Sequence, residues 1–157
     1  MPYKHRLEKG TLRLHECEAL VITCIDFRFW EATLTGFAKE SEENEGLGIK
    51  HLDPKTVPGV CKGVAQGDEK ATSEIRRVID IALEKHHIKR VVIVHHSSCG
   101  AYGINDKKAE FETQCANLKK GAKILASSYP ALSFSAFFAQ GEEKQEYDEI
   151  TYLAIEI

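Results

Sequence analysis

Residues with ligand or proton-transfer chemistry fall in two short clusters. Cys24-Ile-Asp26-Phe-Arg28 follows the apolar run Ala19–Thr23, and His96-Ser-Ser-Cys99 follows Val91–Val94. Thiolate and imidazole are usual protein donors to zinc, at about 2.3 Å and about 2.0–2.1 Å. Cys24, His96 and Cys99 would supply three such donors. Three protein ligands leave a fourth tetrahedral position for water, the pattern of a catalytic zinc site. Gly100 lets the backbone turn tightly behind Cys99. His95 is the rival ligand. It directly follows the apolar run and is read as the last residue of a strand, so His96 is taken as the donor. Two thiolates cancel the charge of a zinc ion, so its water should be less acidic than at a three-histidine site, where the pKa is about 7. Asp26 then has two available jobs. It can accept a hydrogen bond from water in the fourth position, or move in as a fourth ligand and close the site. Arg28 decides between them by holding Asp26 in a charge-assisted pair.

These clusters must be brought together by the elements that carry them. Residues 18–24 read as a buried strand, a continuous apolar run of strand length. A helix is expected from Phe29 to about Lys39, with Phe29, Trp30, Leu34 and Phe37 on its apolar side, then a solvated acidic loop from Ser41 to Gly48. A weakly marked strand near Ile49–Val57 ends at Pro58-Gly59. The helix Thr72–His87 has Ile75, Val78, Ile79, Ala82 and Leu83 at helical spacing. The next strand is Arg90–His95. A long helix from about Lys107 to Ser128 carries a stripe of Phe111, Cys115, Leu118, Ala122 and Leu125, and Pro130 stops it. Leu132–Phe138 reads as a strand, and Ile150–Ile157 as a last strand at a sheet edge.

That alternation predicts an α/β fold, a mostly parallel central sheet flanked by helices on both faces. Residues 1–17 are expected to form a short N-terminal arm and residues 18–157 a single domain. Ligands of open α/β sheets bind beyond the carboxyl ends of the strands, where strand order reverses. If the first and third strands are neighbours, both clusters open into one crevice.

The bulk composition narrows the setting. A chain of 157 residues is long enough for one domain with a proper core. A net charge of -3 gives no broad nucleic-acid footprint, and the apolar runs are far short of a membrane span. The start, Met1-Pro-Tyr-Lys-His-Arg6, has no apolar signal core behind it, so a cytoplasmic protein is expected. Five cysteines is an odd number without a disulfide-framework spacing, which favours a reduced compartment.

The remaining candidates read as structural. Cys115 falls on the helical stripe and Cys17 has no ligand partner at useful spacing. Cys61 lies in a loop that borders the crevice and is read as a bystander. His86 and His87 end a helix, where a cation is favoured by the dipole, and are not read as ligands. Glu40–Glu45 is a solvated stretch. Tyr102 lines the site mouth or packs; the sequence favours neither. No Arg follows Cys99 closely, as a cysteine phosphatase or rhodanese loop requires. Gly-x-Gly-x-x-Gly, a Walker-type loop and a Gly-x-Ser-x-Gly elbow are all missing.

Cys24-x-Asp26-x-Arg28 after a first strand, with His96-x-x-Cys99-Gly100 after a third, resembles the β-class carbonic anhydrases. The resemblance runs from about residue 17 onward. It implies Cys24, His96 and Cys99 as ligands of one zinc per chain, and Asp26 with Arg28 as the catalytic dyad. It further implies reversible hydration of carbon dioxide to bicarbonate by zinc-bound hydroxide, and a homodimer or higher homo-oligomer. Three features differ from the family pattern: Phe27 replaces a small residue, Val57-Pro-Gly-Val-Cys61 stands where many members have Arg-Asn-Ala-Gly, and the N-terminal arm is short. Two alternatives therefore remain open. One is a zinc protein without this activity, closed by Asp26. The other is a related hydrolase of carbonyl sulfide or carbon disulfide.

Overall fold

β1 (Ala19–Thr23) is buried along its whole length, and the sheet is built outward from it. The structure, a computed structural model, describes residues 4–38 and 48–157. After β1 come α1 (Phe27–Ala38), β2 (Leu52–Thr56), the single-turn α2 (Lys62–Ala65), α3 (Glu69–His86) and β3 (Arg90–His96). α4 (Lys107–Ser127), β4 (Ser133–Glu143) and β5 (Asp148–Ile155) complete the order. The expected solvated loop lies outside the described residues up to Gly48, as does the expected helix end at Lys39.

The strand order is β2-β1-β3-β4-β5. β1 pairs in parallel with β2 and β3, β3 in parallel with β4, and β5 closes the edge antiparallel to β4. β1 and β3 are thus neighbours, and strand order reverses between them. Alternation of side chains across the pleat divides the core in two. Leu20, Ile22, Val91 and Ile93 pack with Ile75, Ile79, Leu118 and Leu125 of α3 and α4. Ala19, Val21, Val92 and Val94 pack with Phe29 and Phe37 of α1 on the other face. The α/β reading, with helices on both faces and the last strand at an edge, holds.

Several boundaries move, for local reasons. α3 begins at Glu69 rather than Thr72, because the Asp68 carboxylate accepts from Ala71 N at 3.0 Å and caps the first turn. Asp106 caps α4 in the same way through Ala109 N. β4 runs on to Glu143 through polar residues, because each of them finds a partner on β5 up to Glu143–Asp148. Pro54 lies within β2, which is tolerated because β2 is an edge strand. α1 buries Phe29, Thr33 and Phe37, whereas Trp30 is 37% exposed. No helix among the described residues is long and apolar enough to cross a membrane.

Candidate metal centre

Cys24 leaves the carboxyl end of β1, and His96 is the last residue of β3. The Cys24, His96 and Cys99 ligand atoms lie within 4.8 Å of one another, and all three residues are buried. The two sulfurs are 4.0 Å apart. Two bonds of about 2.3 Å meeting at a tetrahedral angle would separate them by about 3.8 Å. His96 Nδ1 donates to Ser97 O at 2.8 Å, which leaves Nε2 as the bare acceptor. That Nε2 is buried and has no hydrogen-bond partner. Phe29 stacks on the imidazole at 4.4 Å and holds the ring plane.

The sulfurs sit among backbone donors. The backbone amides of Gly59 and Asp26 favour the Cys24 thiolate, and those of Ala101 and Tyr102 favour that of Cys99. The thiols share a proton: a hydrogen bond from Cys99 holds Cys24 low, and the Cys24 thiolate together with burial pushes Cys99 up. A cation in that space would replace the shared proton. The orphaned imidazole nitrogen and the sulfur spacing both fit a zinc ion.

His95 points to the opposite side of β3. Its Nε2 accepts from Cys61 N at 3.1 Å, so Nδ1 carries the proton and donates to Gln114 Oε1 at 3.1 Å. Both nitrogens are therefore occupied. Burial lowers its pKa to about 4, so the ring is neutral. Cys61 is fully buried, and burial pushes its thiol up to about 12. Tyr102 OH accepts from Asn117 Nδ2 at 3.1 Å, and its ring lies 5.9 Å from that of His95.

Asp26 opens the turn into α1, and Arg28 grips it. Arg28 Nε donates to Oδ1 at 2.9 Å and Nη2 to Oδ2 at 2.6 Å, a bidentate pair, while Arg28 N also donates to Oδ1. Nη2 further donates to Ser98 O at 3.1 Å, tying the pair to the His96–Cys99 loop. The guanidinium keeps the Asp26 carboxyl below its ordinary range. Asp26 Oδ2 is 3.9 Å from His96 Nε2, beside the ligand cluster. A cleft of about 870 Å³ shares Arg28, Phe29, Ser97 and Ser98 with this region.

Two residues that support the site, Glu110 and Gln114, lie outside the apolar stripe that the sequence suggests for α4. The buried side of α4 runs through Glu110, Gln114 and Leu118, not through Phe111 and Cys115, which are only half-buried. Glu110 accepts from Ser98 N at 2.9 Å and Cys99 N at 2.8 Å. Gln114 Nε2 donates to His96 O at 2.8 Å and to Glu110 Oε1. Ser98 has φ 55, a left-handed conformation that this double grip holds in place. The signal was present: Glu110, Gln114 and Leu118 are spaced four apart on one helix face. Cys17 also gains partners in space, since Asp53 and His86 converge on it.

Known proteins place the family and the fold. A family model described as "Putative carbonic anhydrase" matches residues 14–149. An uncharacterized protein of Rickettsia conorii is 30% identical over 135 residues, 79% of this chain and 68% of that protein. Another, from Rickettsia bellii, is 29% identical over 135 residues, 79% of this chain and 77% of that one. Among solved structures, a carbonic anhydrase from Glaciozyma antarctica superposes with a TM-score of 0.53 at 18% identity, over 85% of this chain and 82% of that one. The β-carbonic anhydrase CafA of Aspergillus fumigatus gives a TM-score of 0.52 at 18% identity, over 88% of this chain and 76% of that one. At such identity these two establish the shared fold. With the family match spanning most of the chain, this protein belongs to the putative carbonic anhydrase family, as a divergent relative of the β-class enzymes.

Proposed function

We propose that this chain is a zinc-dependent lyase that hydrates carbon dioxide reversibly to bicarbonate. The observation that carries the reading is the orphaned His96 Nε2, facing two thiols, with Asp26 held to one side by Arg28. Cys24, His96 and Cys99 would hold the ion. Zinc bound there supplies a Lewis acid that makes water nucleophilic near neutral pH.

The chain's own residues do the rest. Asp26, kept ionised by Arg28, accepts a hydrogen bond from the attacking water and orients its lone pair toward the carbon. Arg28 prevents the carboxylate from turning inward as a fourth ligand, which favours the open site over the closed alternative. Carbon dioxide and water yield bicarbonate and one proton, which leaves to solvent. A cytoplasmic location belongs to this reading, because thiolate ligands need reduced sulfur. So does a homodimer: Ile25, Phe27 and Trp30 form an exposed apolar surface beside the site, with Phe27 79% exposed.

Zinc analysis and stopped-flow hydration from roughly pH 7 to roughly pH 9 test the reading, since the water at a two-thiolate site should ionise above about 7. One catalytic zinc and a rate that rises with pH are expected. Zinc held at this site with no turnover at any pH would overturn the assignment. Turnover of carbonyl sulfide in place of carbon dioxide would change the substrate.

A further inference from the structure

The amino-terminal end of the sheet, opposite the zinc centre, gathers a second set of donors. Cys17 stands just before β1, Asp53 is the second residue of β2, and His86 is the last residue of α3. A Cys17 Sγ, an Asp53 carboxylate oxygen and a His86 ring nitrogen lie within 4.8 Å of one another. Three separate elements contribute them, and their backbones are already tied together. Cys17 N donates to His86 O at 3.0 Å, Glu18 N donates to His51 O, and Asp53 pairs in register with Leu20. The donors are therefore assembled before any ion arrives.

A Cys, His and Asp set can also make a nucleophile, in which the imidazole draws the thiol proton and the thiol is activated. The contacts here are arranged otherwise. His86 Nδ1 is paired with Asp53 Oδ2 at 2.7 Å, and the thiol meets the carboxylate. Burial and the Asp53 charge push the Cys17 thiol up to about 11, the reverse of activation.

We propose that Cys17, Asp53 and His86 form a second zinc-type metal site that clips the start of β1 to β2 and to the end of α3. Thiolate with imidazole selects zinc over magnesium or calcium, and a carboxylate is an accepted third donor. One thiolate and one carboxylate neutralise a divalent charge. The carboxyl end of α3, an eighteen-residue helix, adds the negative end of its dipole. Binding releases the Cys17 proton and replaces the His86–Asp53 hydrogen bond with two metal bonds. The fit needs side-chain adjustment only: tetrahedral zinc separates its donors by roughly 3.3–3.8 Å. The half-exposed His86 and the partly exposed Asp53 have room to make it. Water would fill the remaining position.

This site is independent of the proposed hydration chemistry, and metal counting on the full-length chain separates the two. Purified protein is saturated with zinc, desalted and analysed, with cobalt(II) as a spectroscopic stand-in that reports thiolate ligation. Wild type should hold two zinc ions, Cys17→Ser one, Cys99→Ser one, and the double variant none. His86→Gln and Asp53→Asn, at partly exposed side chains, carry the same test should Cys17→Ser fold poorly. Zinc should also raise the melting temperature of Cys99→Ser but not of the double variant. A wild type holding one ion that Cys99→Ser loses would overturn the proposal, as would two ions retained in both Cys17→Ser and His86→Gln. One ion that Cys99→Ser keeps and Cys17→Ser loses would support this site and overturn the zinc reading of Cys99.

Discussion

Asp26 and His95 show how a side chain's partners decide what it can do. Asp26 was legible from its spacing to Arg28, and the bidentate pair is the geometry that spacing allows on the first turn of α1. Asp26→Asn keeps the shape but loses the charge. It should lower hydration by about 10–100-fold, the usual effect of disturbing a ligand-adjacent partner, with bound zinc unchanged. Parallel zinc analysis and stopped-flow rates check this, and unchanged rates would remove Asp26 from the mechanism. The choice between His95 and His96 was legible only as a guess about where the strand ends. The structure puts both in β3, on opposite faces, and their hydrogen bonds then distinguish them.

The neutral, buried His95 also carries a pH dependence. Unfolded, it takes up a proton near about 6.5; folded, it resists protonation down to about 4. The unfolded state therefore binds more protons across that window. The stability contributed is complete above about 6.5 and is lost as pH falls toward 4, on the order of 3 kcal/mol. Urea midpoints measured between those pH values should fall more steeply for wild type than for His95→Gln.

At the scale of elements, α4 does more than cover the sheet. Its buried face places Glu110 and Gln114 against the backbone of the His96–Cys99 loop. Hydrophobic periodicity selected Leu118, Ala122 and Leu125 correctly, because those positions pack against an apolar core. It failed one turn earlier, where the helix meets unpaired loop N–H groups and polar side chains are the right complement. The carboxylate of Glu110 makes charge-assisted bonds to two of them. Glu110→Gln keeps the volume but puts an amide where an acceptor is needed. Zinc affinity should drop about 10–100-fold, and stability should fall by about 1–3 kcal/mol. Competition with a chromophoric chelator and denaturant titration measure the two effects. Unchanged zinc affinity would leave Glu110 a purely structural residue.

At the scale of the molecule, the order β2-β1-β3 brings the two motifs into one crevice by making β1 and β3 neighbours. The same order assembles the Cys17–Asp53–His86 donors at the other end of the sheet. The exposed Ile25, Phe27 and Trp30, near the Cys24–His96–Cys99 cluster, would suit the proposed second copy of the chain better than water. Light scattering should report a dimer, and Phe27→Asp should shift it toward monomer, because a charge buried without a partner is strongly disfavoured. A monomeric wild type would leave this apolar surface without the proposed cover.

The sequence by itself determined the candidate donor set: donor types, their spacing along each strand end and the Asp26–Arg28 pair are local properties that survive without a fold. It also determined the fold class, since apolar runs of strand length alternate with helical stripes. Only the tertiary structure decided which histidine faces the cysteines, which polar residues on α4 turn inward, and that Cys17 meets Asp53 and His86. Each of those depends on what lies across a sheet or between helices. Backbone donors and acceptors left unpaired in one segment are satisfied by another far away in the chain, and no local pattern records that debt.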